Sequence, residues 1–116
     1  MWHRILRKAL FAFISEVLLS GAAHASPLPN IGAVVTMDVE FFGCTSLDDL
    51  VRVVNLDWVQ NDKEASIAYG KQHCIRLRKG DQFRVQDVSV VQGAVCLRQA
   101  PSSDCYWTNA QMLKIP

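Results

Sequence analysis

The stretch Cys74-Ile75-Arg76-Leu77-Arg78-Lys79-Gly80-Asp81-Gln82-Phe83-Arg84-Val85-Gln86 decides how this chain folds. Ile75 and Leu77 alternate with Arg76 and Arg78, and Phe83 and Val85 alternate with Arg84 and Gln86. That period of two belongs to half-buried strands, and Lys79-Gly80-Asp81 between them is a turn. Downstream the pattern continues through Val88 to Val91, a Gln92-Gly93 turn, Val95 with Leu97, and Cys105 to Thr108. Ala110 to Ile115 supplies a closing turn and strand. About five short strands of this kind predict a small β-barrel.

Upstream of Cys74 the period lengthens. Thr45 or Ser46 can cap a helix with Asp48 and Asp49 in its first turn, and Leu47, Leu50, Val51 and Val54 fall at helical spacing. β-Branched Val51, Val53 and Val54 argue the other way. Asn61 with Glu64 resembles a capping box, and Gly70 is expected to end this second helix in a left-handed conformation. Trp58, between the two helices, is expected in the core. Ile31 to Phe42 reads as an extended segment rich in valine and aromatic residues. Ser26-Pro27-Leu28-Pro29-Asn30 reads as an extended tether, because proline fixes φ and biases the residue before it.

The N-terminus has the layout of a secretory signal peptide. Arg4, Arg7 and Lys8 precede the apolar run Ala9 to Ala22, and Ala23-His24-Ala25 offers the small residues of a cleavage site. The run is about 14 residues, short of the roughly 20 a spanning helix needs. Glu16 interrupts it. The expected organisation is a signal peptide at 1–25, a leader at 26–32 and one domain at 33–116, with a helical part near 46–72 and a β part near 74–116. Removing Arg4, Arg7, Lys8 and Glu16 takes the 12 Lys+Arg and 11 Asp+Glu to nine and ten. A near-neutral chain with one short basic cluster, Arg76, Arg78 and Lys79, disfavours nucleic acid as a partner. A periplasmic or secreted location is expected, without a stable membrane span after processing.

All four cysteines lie beyond the cleavage site, which in an exported chain reads as two disulfides. With Gln99 to Ser102 as a four-residue hairpin loop, Cys96 faces Cys105 across the strand pair, within disulfide reach, and Cys44 is left for Cys74. A metal or redox centre needs closer spacing than these cysteines have, and the only histidine beyond Ala25 is His73. No metal and no cofactor are expected.

The pieces Leu77-Arg78-Lys79-Gly80-Asp81, Phe83 with Val85, Gly93-x-Val95-x-Leu97-Arg98, Tyr106-Trp107-Thr108 and Met112-Leu113 together resemble bacterial SH3-like domains of exported and cell-envelope proteins. The likeness covers about residues 74–113. It departs from the family at the distal hairpin, where Gln99-Ala100-Pro101-Ser102 replaces the usual glycine and two cysteines flank the turn, and in the opening strand. It implies a mainly β fold with short helices, an SH3-like barrel preceded by a helical segment. It also implies non-catalytic binding of peptides, cell-wall material or a partner protein through aromatic loops.

Catalysis is not expected. A serine hydrolase would need His73 as its base, beside a bridged Cys74, and no phosphate loop occurs. The candidate binding residues are Tyr106, Trp107 and Arg98. Adjacent strand residues face opposite ways, so one of Tyr106 and Trp107 should leave the core as an anchor, unless Trp107 packs on the Cys96 to Cys105 bridge. The expected function is an exported binding module for an envelope component or protein. The alternative is a small inhibitor or effector of a secreted enzyme, presenting the stapled loop Gln99 to Asp104.

Overall fold

Alternating burial along the strands, and continuous burial in one of them, set the layers of the molecule. A computed structural model describes residues 28–101 and 103–114. The expected signal peptide and cleavage site, Ser26 and Pro27 of the expected leader, Ser102 of the hairpin loop, Ile115 and Pro116 lie outside the described residues. Along the chain come β1 (Val34–Met37), β2 (Phe41–Gly43), α1 (Leu47–Val54) and a π-helical turn (Asn55–Val59). They are followed by α2 (Lys63–His73), β3 (Ile75–Leu77), β4 (Gln82–Ser89), β5 (Ala94–Arg98) and β6 (Tyr106–Asn109). A 3-10 turn (Ala110–Met112) leads into β7 (Leu113–Lys114).

The fold is mixed α+β, with the strands in an antiparallel five-stranded sheet of order β6-β5-β4-β1-β7 and a two-stranded ribbon of β2 and β3. The described strands do not form a closed barrel. Among the described residues one backbone bridge links the two sheets: the Cys44 N–H donates to the Trp107 carbonyl at 2.9 Å and the Trp107 N–H donates to the Cys44 carbonyl at 2.7 Å.

In β4, Phe83 and Val85 are buried while Gln82 and Arg84 are exposed, as the period of two requires. Strand β5 is buried continuously from Ala94 to Leu97 because both its faces are covered. Val95 and Leu97 join Val35, Met37, Phe83 and Val85 in the larger core. Ala94 joins Phe42, Cys44, Leu50 and Val53 under the helices.

Several expectations are corrected. Leader residue Pro29 is buried and Leu28 packs on the larger core, so this part of the leader docks instead of acting as a tether. It turns at Gly32, whose φ of +91° is left-handed and whose N–H donates to the Val85 carbonyl at 2.8 Å. Strand β4 stops at Ser89, leaving Val90 and Val91 in the turn instead of in a strand.

The hairpin register differs by two residues from the expected one: Leu97 faces Tyr106 and Cys96 faces Trp107. The connection therefore runs from Gln99 to Cys105, and Cys105 sits diagonally from Cys96. The bridge still closes, with the Cα atoms 5.3 Å apart, and Cys44 pairs with Cys74 at 4.4 Å.

In the helical part, Ser46 caps α1, its hydroxyl accepting from the Asp49 N–H at 3.4 Å. The β-branched residues stay helical because Leu50 and Val53 are buried against β-structure, a tertiary gain that overrides their propensity. Asp62, not Asn61, caps α2, accepting from the Ala65 N–H at 3.1 Å, while Asn61 takes a left-handed φ of 53° to turn the chain between the helices. The helix then runs through Gly70 to His73 without a left-handed stop. Gly70 serves close approach instead: a Cβ there would lie 2.5 Å from Phe42 Cε2. Trp58 is 45% exposed and so is not core. The wider winding of the π turn, closed by the Gln60 N–H on the Asn55 carbonyl at 2.9 Å, gives the buried place to Leu56.

Candidate functional site

Strand β6 carries two of the three expected binding residues and separates them. Tyr106 stands opposite Leu97 and shares its side of the sheet, whereas Trp107 stands opposite Cys96 and turns to the helix side. Both are half-buried. Trp107 packs against the core of Phe42, Cys44, Leu50, Val53 and Ala94. Tyr106 packs close to Gly43, where a Cβ would come 2.7 Å from Leu77 Cδ1 and 3.0 Å from Tyr106 Cβ. Arg98, on the same side of β5 as Cys96, ends that strand and donates from Nη1 to the Pro101 carbonyl at 3.2 Å. The three side chains do not converge on one surface.

The densest set of ionisable side chains joins the two helices. The Tyr69 hydroxyl donates to Asp49 Oδ1 at 2.7 Å, the His73 ring stacks on the Tyr69 ring with centroids 4.3 Å apart, and Arg52 lies 5.9 Å from the Tyr69 centroid. The Asp49 carboxylate, as hydrogen-bond acceptor, holds the Tyr69 phenol above its ordinary value. A phenol so held stays protonated, which suits it to bracing α1 against α2 and not to proton abstraction. Ser66, buried, donates its hydroxyl to the Val53 carbonyl at 2.9 Å and so also ties the helices together. Among the described residues no three His, Cys, Asp or Glu side chains gather as a metal site.

Two hollows flank the helices. One, of about 180 Å³ between the ribbon and α2, includes Glu40, Phe42, Asp57, Lys63 and Arg76; its mouth holds the Arg76 to Glu40 ion pair at 3.3 Å, with the guanidinium 5.3 Å from the Phe42 centroid. The other, of about 190 Å³, is uncharged and includes Leu50, Val54, Asn55, Val59, Gln92 and Asn109. The β4–β5 turn that brings Gln92 to this groove leaves Val90 and Val91 at 80% and 92% exposure, and Val59 at its rim is 74% exposed. Apolar side chains clustered in water, unlike scattered single ones, mark interaction sites.

None of these valines was singled out from the sequence as a binding residue. Val59 is exposed because the π turn lifts it, and Val90 and Val91 are exposed because the strand ends one residue before them. Apolar β-branched residues in a hairpin turn, where glycine, asparagine and aspartate usually stand, were the available signal. No protein-family model, curated protein or solved structure matches this chain.

Proposed function

We propose that the chain is a non-catalytic, exported SH3-like module that binds an envelope component or a protein. The observation that carries the reading is the uncharged groove beside α1, with exposed Val59 in its lining and with Val90 and Val91 standing in water in the turn that supplies Gln92 to it. Export is supported by the Met1 to Ala25 layout and by two disulfides, which persist in oxidising compartments. Among the described residues no helix is long and apolar enough to cross a membrane. The SH3-like arrangement is supported by an open succession of antiparallel pairings and one bridge between the sheets. Strand β1 pairs with β4, β4 with β5 and β5 with β6; Cys44, a few residues beyond β1, then pairs with Trp107 of β6. Tyr106, Trp107 and Arg98 remain candidate binding residues within it.

The test combines capture with stability. The exported chain, whose intact mass should correspond to a start at Ser26, is used to capture partners from envelope extract with and without a cell-wall fraction. Val59→Ser/Val90→Ser/Val91→Ser should abolish capture while leaving the denaturation midpoint in place, since these side chains are already hydrated in the free chain. Capture unaffected by the triple substitution would remove the groove from the function.

A second reading, an inhibitor or effector of a secreted enzyme, is favoured by the loop between Cys96 and Cys105. There Ser103 Oγ accepts from the Ala100 N–H at 3.2 Å and donates to the Ala100 carbonyl at 2.8 Å. Such bonds hold Gln99, Ala100 and Pro101 out as a braced, exposed segment. Enzyme inhibition lost on Pro101→Ala, with the groove variant still inhibitory, would select this reading.

A further inference from the structure

The helix-side face of the five-stranded sheet is covered by the helices at one end only. Along β5, Ala94, Cys96 and Arg98 point to that face; Ala94 is buried with the helix-side core, whereas Arg98 is partly open. Register lays out the uncovered end in two rows. In one, Arg98 stands opposite Arg84 and Arg84 opposite Val34. In the other, Gln82 stands opposite Thr36 and Thr36 opposite Lys114. With strands about 4.8 Å apart, Arg98, Arg84 and Lys114 share one face about 15 Å across.

Neither row contains a carboxylate. Two acids adjoin the rows, each accepting a backbone bond: Asp87, opposite Cys96 on the same face, takes the Val88 N–H on Oδ1 at 2.8 Å, and Asp81, beside Gln82, takes the Arg78 N–H on Oδ2 at 3.2 Å. Two arginines directly opposed repel each other, which costs stability unless their heads are held apart. Here they are drawn to different carbonyls, Arg84 Nη1 donating to Gly32 at 2.7 Å and Arg98 Nη1 to Pro101 at 3.2 Å. Each such bond uses one guanidinium nitrogen, fixes the head and leaves further N–H donors for a ligand. Beside them is a shallow depression of about 460 Å³ lined by Val34, Thr36, Gln82 and Lys114.

We propose that this face binds an anionic polysaccharide, a linear glycan bearing carboxylate groups. The positioned guanidinium forks match carboxylates in geometry, the Lys114 ammonium adds charge, and Thr36 and Gln82 supply donors and acceptors for sugar hydroxyls. A shallow face spanning four strands suits an extended chain. The two rows hold no aromatic ring, the platform on which single-stranded nucleic acid stacks. This inference rests on the reading of the chain as a binding module, and names the ligand chemistry of a face separate from the groove.

Polygalacturonate is the probe, with dextran as the uncharged control. The oxidised full chain should bind polygalacturonate at low salt, lose affinity steeply as salt is raised, and ignore dextran. Arg84→Gln/Arg98→Gln/Lys114→Gln should weaken binding by at least about tenfold, and Lys114→Gln alone, on a two-residue edge strand, should weaken it measurably with the fold intact. Absence of binding, equal binding by the triple variant, or equal binding to dextran would overturn the proposal. Tighter binding of single-stranded DNA through the same three residues would also overturn it, assigning the face to nucleic acid. The Val59/Val90/Val91 variant should keep its affinity for polygalacturonate. If partner capture depends on those valines while no glycan binds, the glycan proposal falls alone and the module stands.

Discussion

At the scale of single residues, Gly70 shows how one missing methyl joins two layers. It lies inside α2, where alanine would favour the helix by about 1 kcal/mol. Yet a Cβ there would meet three Phe42 ring atoms at 2.5 to 2.7 Å, and that ring belongs to the helix-side core. Overpacking a rigid aromatic contact costs about 1 to 3 kcal/mol, so Gly70→Ala should lower the denaturant midpoint despite its better propensity. A raised midpoint would mean that Phe42 can move aside at little cost. The sequence marked Gly70 as special, but assigned it a chain-ending role, because a glycine that ends a helix and one that admits a neighbour look alike until the neighbour is placed.

Among the elements, α1 and α2 are held together by polar bonds whose strength depends on protonation. Tyr69 donates to Asp49, and this bond requires the phenol to keep its proton. The carboxylate raises the phenol's folded value above its ordinary value of 10.0, so the stabilisation is present below that pH and is lost as pH rises through the folded value. Tyr69→Phe should therefore be less stable than the unsubstituted chain at about pH 8, and the difference between their urea midpoints should shrink by about pH 11. A constant difference across that range would mean that the ring packing on His73, not the hydrogen bond, is what Phe disturbs. Both helices were legible from caps and spacing. The π turn joining them was not, since its winding follows from burying Leu56 while Asp62 reaches its capping position.

For the whole molecule, the bridges close loops of different length and tie down different parts. Cys44 to Cys74 spans 30 residues and Cys96 to Cys105 spans 9. Loop-closure entropy alone gives about 3.5 kcal/mol for the first and about 2.5 for the second. Cys44 also makes the backbone bridge to Trp107 that joins ribbon and sheet, and Cys74 follows the last turn of α2. Cys44→Ala/Cys74→Ala should consequently lower stability more than Cys96→Ala/Cys105→Ala, by guanidinium unfolding of each pair variant. The reverse order would show that the braced loop contributes more to the fold than the junction of the two sheets.

Local pattern alone determined the elements and their chemistry: alternation from Cys74 onward, caps at Ser46 and near Asn61, and an even set of cysteines. These depend on neighbours within a few residues or on compositional rules. Only the tertiary structure decided the register of β5 against β6, because a two-residue slip preserves which side chains face inward and alternation cannot distinguish the two. It likewise decided which apolar residues stay in water. Trp58, Val59, Val90 and Val91 look like core residues in sequence and become surface where a helix widens or a strand ends. It brought Arg84, Arg98 and Lys114 onto one face, although they are far apart in the chain and form no basic run. Charge density in sequence counts neighbours along the backbone, whereas a sheet gathers them across strands about 4.8 Å apart.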